Sequence, residues 1–403
     1  MIKNIVVVAD FAEVNTLGGG AARASIDTAN LLAKLGLKVY FFTGTGEPDP
    51  LLKQSPNLEI IHLGQKDILS EKNRIKAFFR GIYNFKAYRE LKKLLGKLNK
   101  EDTVVHIHSW FKVSSSSVFK AVSEMGFRMY LTVHDYLLCC PTLNFFNYQC
   151  NHICEIKPMS MKCFLTNCDK RHYYHKVWRF IREYVQNRII RKAAHTSGIG
   201  YIFISEFSKR QLLRRMPAPK NQFFVKNPIY FTNRFRVEAE SNSVFLFIGR
   251  TDPEKGIKNF CEAVHNTGVK GVVIGDGILK EELEAKYPEI EFTGWLNKEQ
   301  IHERIKEARC LIFTSIWYEA SPLTPLEVEA YGIPVIASDC SAASDNASFV
   351  YHSQKELENL IVKVSTEDIK QLSIDTFNNF DESSTINYAD NLLKLYNTPL
   401  MTE

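Results

Sequence analysis

Short apolar runs alternate with longer stretches in which apolar residues recur every three or four positions, and this alternation organises most of the chain. Residues 4–9 form an apolar run of strand length, followed by Gly18-Gly19-Gly20 and then a stretch of helical period over residues 21–35. Residues 39–43, 58–63, 103–108 and 129–133 are further runs of the kind left by strands buried on both faces. A second series follows at residues 244–248, 271–274, 290–293, 310–314 and 334–337, with helical patterns over 279–286 and 298–308 between them. Strand and helix in alternation predict the α/β class, with parallel sheets covered by helices, and two series predict two Rossmann-like domains in tandem.

Between the series, Met216-Pro217-Ala218-Pro219 and Asn227-Pro228 supply the punctuation of a linker. The predicted division is a first domain over 1–226 and a second over 227–384. A C-terminal helix then falls in 385–403, where Tyr388, Leu392, Leu393 and Tyr396 share a face that can pack back on the first domain. A length of 403 residues agrees with two domains, since single cores rarely extend that far.

Composition adds little until charge is divided. Hydrophobic residues at 45% and charged residues at 24% are those of an ordinary globular protein, which excludes disordered, collagenous and coiled-coil classes. No run of about 18 apolar residues occurs, and the first ten residues turn acidic too early for a signal peptide, so a cytoplasmic protein is expected. The net charge of +6 conceals about +18 on residues 1–226 and about −12 on 227–403. A basic half suits nucleic acid, an anionic membrane surface or phosphorylated ligands. The nucleic-acid reading lacks a recognisable motif or an aromatic-studded sheet face, so no nucleic-acid partner is expected.

Three motifs carry the candidate chemistry. Phe247-Ile248-Gly249-Arg250-Thr251-Asp252-Pro253-Glu254-Lys255-Gly256 leads from a strand toward a helix, placing Arg250 and Lys255 at the carboxyl edge of the sheet, where open α/β sheets bind ligands. Two cations beside a helix start suit a diphosphate; the alternative is a solvated basic turn. Ile274-Gly275-Asp276-Gly277 ends the next strand with glycines that admit close approach of a ligand or simply make a tight turn. Glu319 and Glu327 bracket a loop with Ser321 and Leu323 and the first turns of a helix, so that both carboxylates can face one cleft and accept hydrogen bonds from sugar hydroxyls. Ordinary solvated glutamates are the alternative.

Taken in order, Gly-Arg-(four)-Lys-Gly, Gly-Asp-Gly, Thr293-Gly294-Trp295 and Glu-(seven)-Glu followed by Gly332-Ile333-Pro334-Val335 resemble the donor domain of glycosyltransferase family 4 over residues 205–345. The resemblance implies the GT-B fold, with two Rossmann-like domains facing across a cleft. It also implies a retaining hexosyltransferase of the surface-polysaccharide type, in the manner of lipopolysaccharide or O-antigen synthesis. By the same resemblance Arg250 and Lys255 hold the donor diphosphate, Glu327 the ribose, Glu319 the transferred sugar, and Gly18, Gly19 and Gly20 the N-terminal glycine loop. His134, in Thr132-Val133-His134-Asp135, is similar to the family histidine that reaches the sugar, although a histidine at a strand end also serves structural packing. Pro322 and Pro325 depart from the family pattern and leave the sugar open. The donor would be a UDP or GDP sugar, and no cofactor is expected. No Asp-any-Asp pair offers a divalent ion a carboxylate site, so basic side chains would take its role. A nucleotide-sugar epimerase or a phosphorylase is the competing enzyme reading.

Two segments stand apart. Cys139 and Cys140 precede Cys150, Cys154, Cys163 and Cys168 in an insertion at residues 139–168, and the last four could hold a structural zinc, remain reduced or form a disulfide. Residues 71–100 carry ten Lys or Arg against two Glu, with Ile75, Phe78, Phe79, Ile82 and Phe85 at helical spacing, then Leu91, Leu94, Leu95 and Leu98. This is either a helix lying on an anionic leaflet or a core helix with a solvated basic face. A second basic, aromatic stretch at 170–192 favours the membrane, hence an expected peripheral position at the inner face of the cell membrane and a lipid-linked glycan acceptor.

Overall fold

The computed structural model describes residues 2–14, 19–53, 55–229, 234–382 and 386–403. The first apolar series builds β1 (Asn4–Phe11), β2 (Lys38–Thr45), β3 (Leu58–His62), β4 (Thr103–Ile107) and β5 (Arg128–Val133). After a small hairpin of β6 (Phe146–Asn147) and β7 (His152–Ile153) come β8 (Gly200–Phe203) and β9 (Gln222–Phe224). These join in one parallel sheet of order β3-β2-β1-β4-β5-β8-β9, with the hairpin outside it. Residues 5–9 of β1 are fully buried because helices cover both faces.

The second series builds β10 (Val244–Ile248), β11 (Lys270–Ile274), β12 (Glu291–Gly294), β13 (Ala308–Phe313), β14 (Val335–Ser338) and β15 (Phe349–Tyr351), in the order β12-β11-β10-β13-β14-β15. Both sheets reverse direction beside their first strand, between β1 and β4 and between β10 and β13. Loops leaving those strands diverge and leave a crevice, the position where doubly wound sheets bind ligands. Strands β8, β9 and β15, three or four residues long, lie outside the predicted series.

The expected C-terminal helix runs over Tyr388–Tyr396, Thr385 lying outside the described residues, and it crosses back to the first sheet. Leu392 is fully buried there, Tyr388 Oη lies 2.8 Å from Thr28 Oγ1, and Tyr130 Oη donates to the Leu395 carbonyl. The basic stretch at 71–100 is two helices, Arg74–Ile82 and Phe85–Leu95. Asn84 separates them: it is buried, caps the second helix by accepting from Lys86 and Ala87 amides, and donates to the Val113 carbonyl. Leu91, Leu94 and Leu95 face the core, whereas Ile75, Phe78, Phe79 and Phe85 are exposed. Among the described residues no helix is long and apolar enough to cross a membrane.

Candidate active site

The crevice at the two switch points holds a cleft of about 260 Å3 walled by both halves of the chain. On the first side, Asp10 closes β1 in full burial. Its carboxylate accepts the Lys112 amide at 2.6 Å and the Ser114 amide at 2.9 Å, while its own amide donates to Ser109 Oγ at 3.0 Å. Burial pushes this carboxyl up and the amide donors pull it down, with burial winning. Asp10 thereby fixes the loop after β4 that presents Phe111 and Lys112 to the cleft. Gly19, at φ 53°, opens the helix Gly19–Lys34, and Gly20 lines the cleft beside it; Gly18 lies outside the described residues.

Three imidazoles extend from the core to this wall. His106 is held by Tyr396 Oη at 2.6 Å on Nδ1 and Thr132 Oγ1 at 2.7 Å on Nε2. His106 packs 4.2 Å from His108, and His108 Nδ1 meets His134 Nε2 at 3.0 Å. Burial lowers His134 to about 4, and His108 falls well below the ordinary histidine value, again chiefly through burial. His134 therefore meets the cleft as a neutral ring near pH 7, suited to hydrogen bonding and not to carrying charge. His106 and His108 had a signal in the sequence, an i, i+2 pair on a buried strand; the hydrogen bond to His134 needs the neighbouring strand and is not visible in one segment.

On the second side, Lys255 Nζ donates to Glu319 Oε1 at 2.7 Å, and Glu319 also contacts Ser315 Oγ. Burial would raise the Glu319 carboxyl, but the Lys255 ammonium and the Ser315 hydroxyl outweigh it and hold it below the usual range. Ser321 and Leu323 line the same cleft at the start of the helix Leu323–Glu329. Arg250, outside the cleft lining, is paired with Asp252 and Glu254, and Lys170 of the first half reaches the same Glu254 at 3.2 Å. Gly275 is required by loop packing: a Cβ there would stand 1.9 Å from the Gly249 carbonyl oxygen, and one at Gly277 would meet the Thr251 backbone. These glycines thus let the Arg250 loop lie against the β11 loop. Glu327 has exposed surface on its helix outside the cleft lining, yet the chain packed around its carboxyl raises it, against the fields of Lys298 and Arg23.

Of the predicted residues, the structure gathers Gly20, His134, Glu319, Ser321 and Leu323 around one cleft, with Lys255 bound to Glu319. Asp10, Lys112, Tyr136, Asn144 and Trp317 join them without having been singled out. Cys154, Cys163 and Cys168 lie within one another's fields, with Cys140 beside them and Lys176 in their midst, and Cys150 stands apart. Cys150 is exposed, Cys163 and Cys168 flank the buried Lys176 ammonium at 3.5 and 3.1 Å, and no metal-ready group of three ligands occurs among the described residues.

Two parallel sheets of seven and six strands, each with its switch point beside its first strand and with a cleft between them, define the GT-B class. Family models match in two consecutive pieces, "Glycosyltransferase Family 4" over residues 18–229 and "Glycosyl transferases group 1" over residues 231–348. The chain belongs to glycosyltransferase family 4. It is 29% identical over 154 residues to the lipopolysaccharide 1,6-galactosyltransferase of Salmonella typhimurium, a match covering 35% of this chain and 43% of that protein, so the alignment spans less than half of the relative. Sucrose-phosphate synthase of Thermosynechococcus elongatus shares the fold at a TM-score of 0.69 and 16% identity, over 98% of this chain and 99% of the other. HepE of Anabaena, solved with UDP and glucose, does so at 0.61 and 13%, over 97% and 100%.

Proposed function

We propose that the protein transfers a hexose from a nucleotide diphosphate sugar, of the UDP or GDP type, to a lipid-linked glycan, with retention at the anomeric carbon. The observation that carries the reading is Glu319, bound to Lys255, lining the same cleft as His134 at the two switch points. In this reading Arg250 and Lys255 exchange their carboxylate partners for the donor diphosphate, and Glu327 binds the ribose. Glu319, released from Lys255, orients the sugar hydroxyls, with Ser321 and Leu323 amides and the Gly19-Gly20 turn near the phosphates. Gly275 and Gly277 support the Arg250 loop from behind. Neutral His134 hydrogen-bonds the sugar.

The C1–O bond to the diphosphate breaks as the acceptor oxygen bonds to C1 on the same face, and the acceptor's proton passes to the departing phosphate oxygen. Charge developing on that oxygen is met by the two cations, so the reaction needs no cofactor or metal. The retaining course has the support of family membership, and the nucleotide sugar that of the UDP and glucose bound by HepE of Anabaena.

Acceptor-dependent release of nucleoside diphosphate tests the reaction, screened over UDP and GDP sugars and repeated after EDTA dialysis. Turnover that survives EDTA is expected; loss restored by magnesium or manganese overturns the metal-free course. Arg250→Ala and Glu327→Ala should each weaken nucleotide binding in calorimetry by about tenfold or more with the melting temperature unchanged. Parental affinity in either variant would sink the donor-pocket assignment.

A further inference from the structure

The cleft opens through Phe111, Lys112 and Asn144 into a larger groove of about 680 Å3, between the helices Arg74–Ile82 and Tyr173–Ser197. Among the described residues six cations line the groove, Arg74, Lys112, Lys170, Arg171, Arg179 and Arg182, against one carboxylate, Asp169. Asp169 is matched to Arg179 at 2.8 Å, and Lys170 to Glu254. Arg182 is different. It is 3% exposed, donates from Nη2 to the Pro141 carbonyl at 3.2 Å, and its Nε meets no acceptor. Glu183, Asp135 and Asp169 act on it through their fields and not as hydrogen-bonded partners, and burial raises Glu183 to about 8 and Asp135 to about 6. A buried guanidinium aimed into a groove with one carbonyl partner is expensive unless an anion completes it.

The other feature of the groove is apolar. Trp178 and Phe111 stack against the Arg182 guanidinium at 5.3 and 5.8 Å, and Trp178 Nε1 ties to the Phe78 carbonyl at 3.1 Å. From there Phe78 and Tyr174 carry the wall outward, and Ile75 and Phe79, 73% and 64% exposed on the same helix as Phe78, continue it into solvent. Lys112 and buried Arg182 lie inward beside the donor cleft, Arg74, Lys170 and Arg171 are exposed, and aromatic surface runs out to the molecular face. That gradient fits an amphiphile with its anionic head inward and its hydrocarbon outward.

We propose that this groove is the acceptor subsite and that it takes a prenyl-chain phosphate or diphosphate. The phosphate sits on Arg182 and Arg179, the chain leaves along Phe78 and Trp178, and the glycan on the phosphate reaches the donor cleft past Phe111 and Lys112. The assignment rests on the glycosyltransferase reading for its biological sense but not for its test.

Farnesyl diphosphate, farnesol and inorganic diphosphate are titrated separately, following tryptophan emission and binding heat, with UDP and GDP titrated in parallel. Farnesyl diphosphate should bind at least about tenfold more tightly than either of its parts, since head and chain are both recognised. Arg179→Gln and Trp178→Ala should weaken it by about tenfold or more while leaving nucleotide binding unchanged. Arg182→Gln should do the same; if it fails to fold, Arg179→Gln, at a partly exposed position, decides the outcome. Equal affinity for inorganic diphosphate would make the groove a simple anion site and overturn the proposal, as would parental binding in the Arg179 and Trp178 variants. Displacement of farnesyl diphosphate by phosphatidic acid vesicles as effectively as by unlabelled farnesyl diphosphate would make it a membrane headgroup site and likewise overturn it. Absence of nucleotide binding in the parent with intact farnesyl diphosphate binding would remove the donor reading alone.

Discussion

Glu329 illustrates how far single residues can be read. Two positions from Glu327, it sits in the same Glu-rich motif, yet it is buried with Oε1 unpartnered while Glu327 is exposed. Burial raises the Glu329 carboxyl to about 8. Its folded-state value lies above its unfolded one, so the stability it contributes is complete below about pH 4.5 and is lost as pH rises through about 8. Glu329→Gln should accordingly match the parent in thermal denaturation at pH 4.5 and exceed it at pH 8, by something on the order of 2 kcal/mol. A difference independent of pH would show that the carboxyl ionises normally in the fold. Lys255 and Glu319 were legible as candidates from their motifs, but their mutual ion pair was not, because it joins segments 64 positions apart. Asp10 and Lys112 carried no motif at all, being brought into the cleft by the β1 and β4 ends.

At the scale of elements, the long buried strands and amphipathic helices followed from period, while short pieces needed their neighbours. Strands β8, β9 and β15 take their place from the sheet beside them, β8 on β5, β9 on β8 and β15 on β14. The stretch at 71–100 shows how one amphipathic pattern can cover two different environments, divided at Asn84. Its second helix packs inward through Leu91, Leu94 and Leu95, and its first leaves Ile75 and Phe79 in solvent. The C-terminal helix is a strap, joining the end of the chain to the first sheet through a face that the pattern at Tyr388, Leu392 and Tyr396 foretold. Leu392→Ala should therefore destabilise the half of the molecule built on residues outside its own domain, by about 2–5 kcal/mol. Hydrogen exchange reads this directly: protection should fall in β1 and β4 amides more than in β10 and β13, and the reverse pattern would refute the strap.

Across the whole molecule, the charge division gains a geometry. The basic helices Arg74–Ile82 and Tyr173–Ser197 flank one groove, and exposed Phe79, Ile75 and Tyr174 lie at its mouth. The proposed peripheral position at an anionic leaflet predicts that the protein sediments with phosphatidylglycerol vesicles, that binding falls with salt, and that neutral vesicles fail. Lys72 and Lys76 are exposed, and reversing both to Glu should lower the partition coefficient by more than about tenfold, at roughly 1 kcal/mol per basic residue near the surface. Equal sedimentation with neutral vesicles, or none with either kind, would point to a soluble acceptor.

The sequence by itself determined the class of fold, because hydrophobic period and strand length are local properties that each segment carries alone. It likewise marked the Arg250, Lys255, Gly275 and Glu319 motifs, whose spacing is written along the chain. What only the tertiary structure decided is everything that depends on approach between distant segments. The imidazoles of His106, His108 and His134 meet because β4 and β5 are neighbours. Gly275 is glycine because the Gly249 carbonyl lies against it. Arg182 was one basic residue among many in its helix until folding buried it, hydrogen-bonded to the Pro141 carbonyl and in direct ion pair with no described residue, and turned it toward a groove. Burial is a property of the packed whole, and it alone distinguishes a solvated charge from one that calls for a ligand.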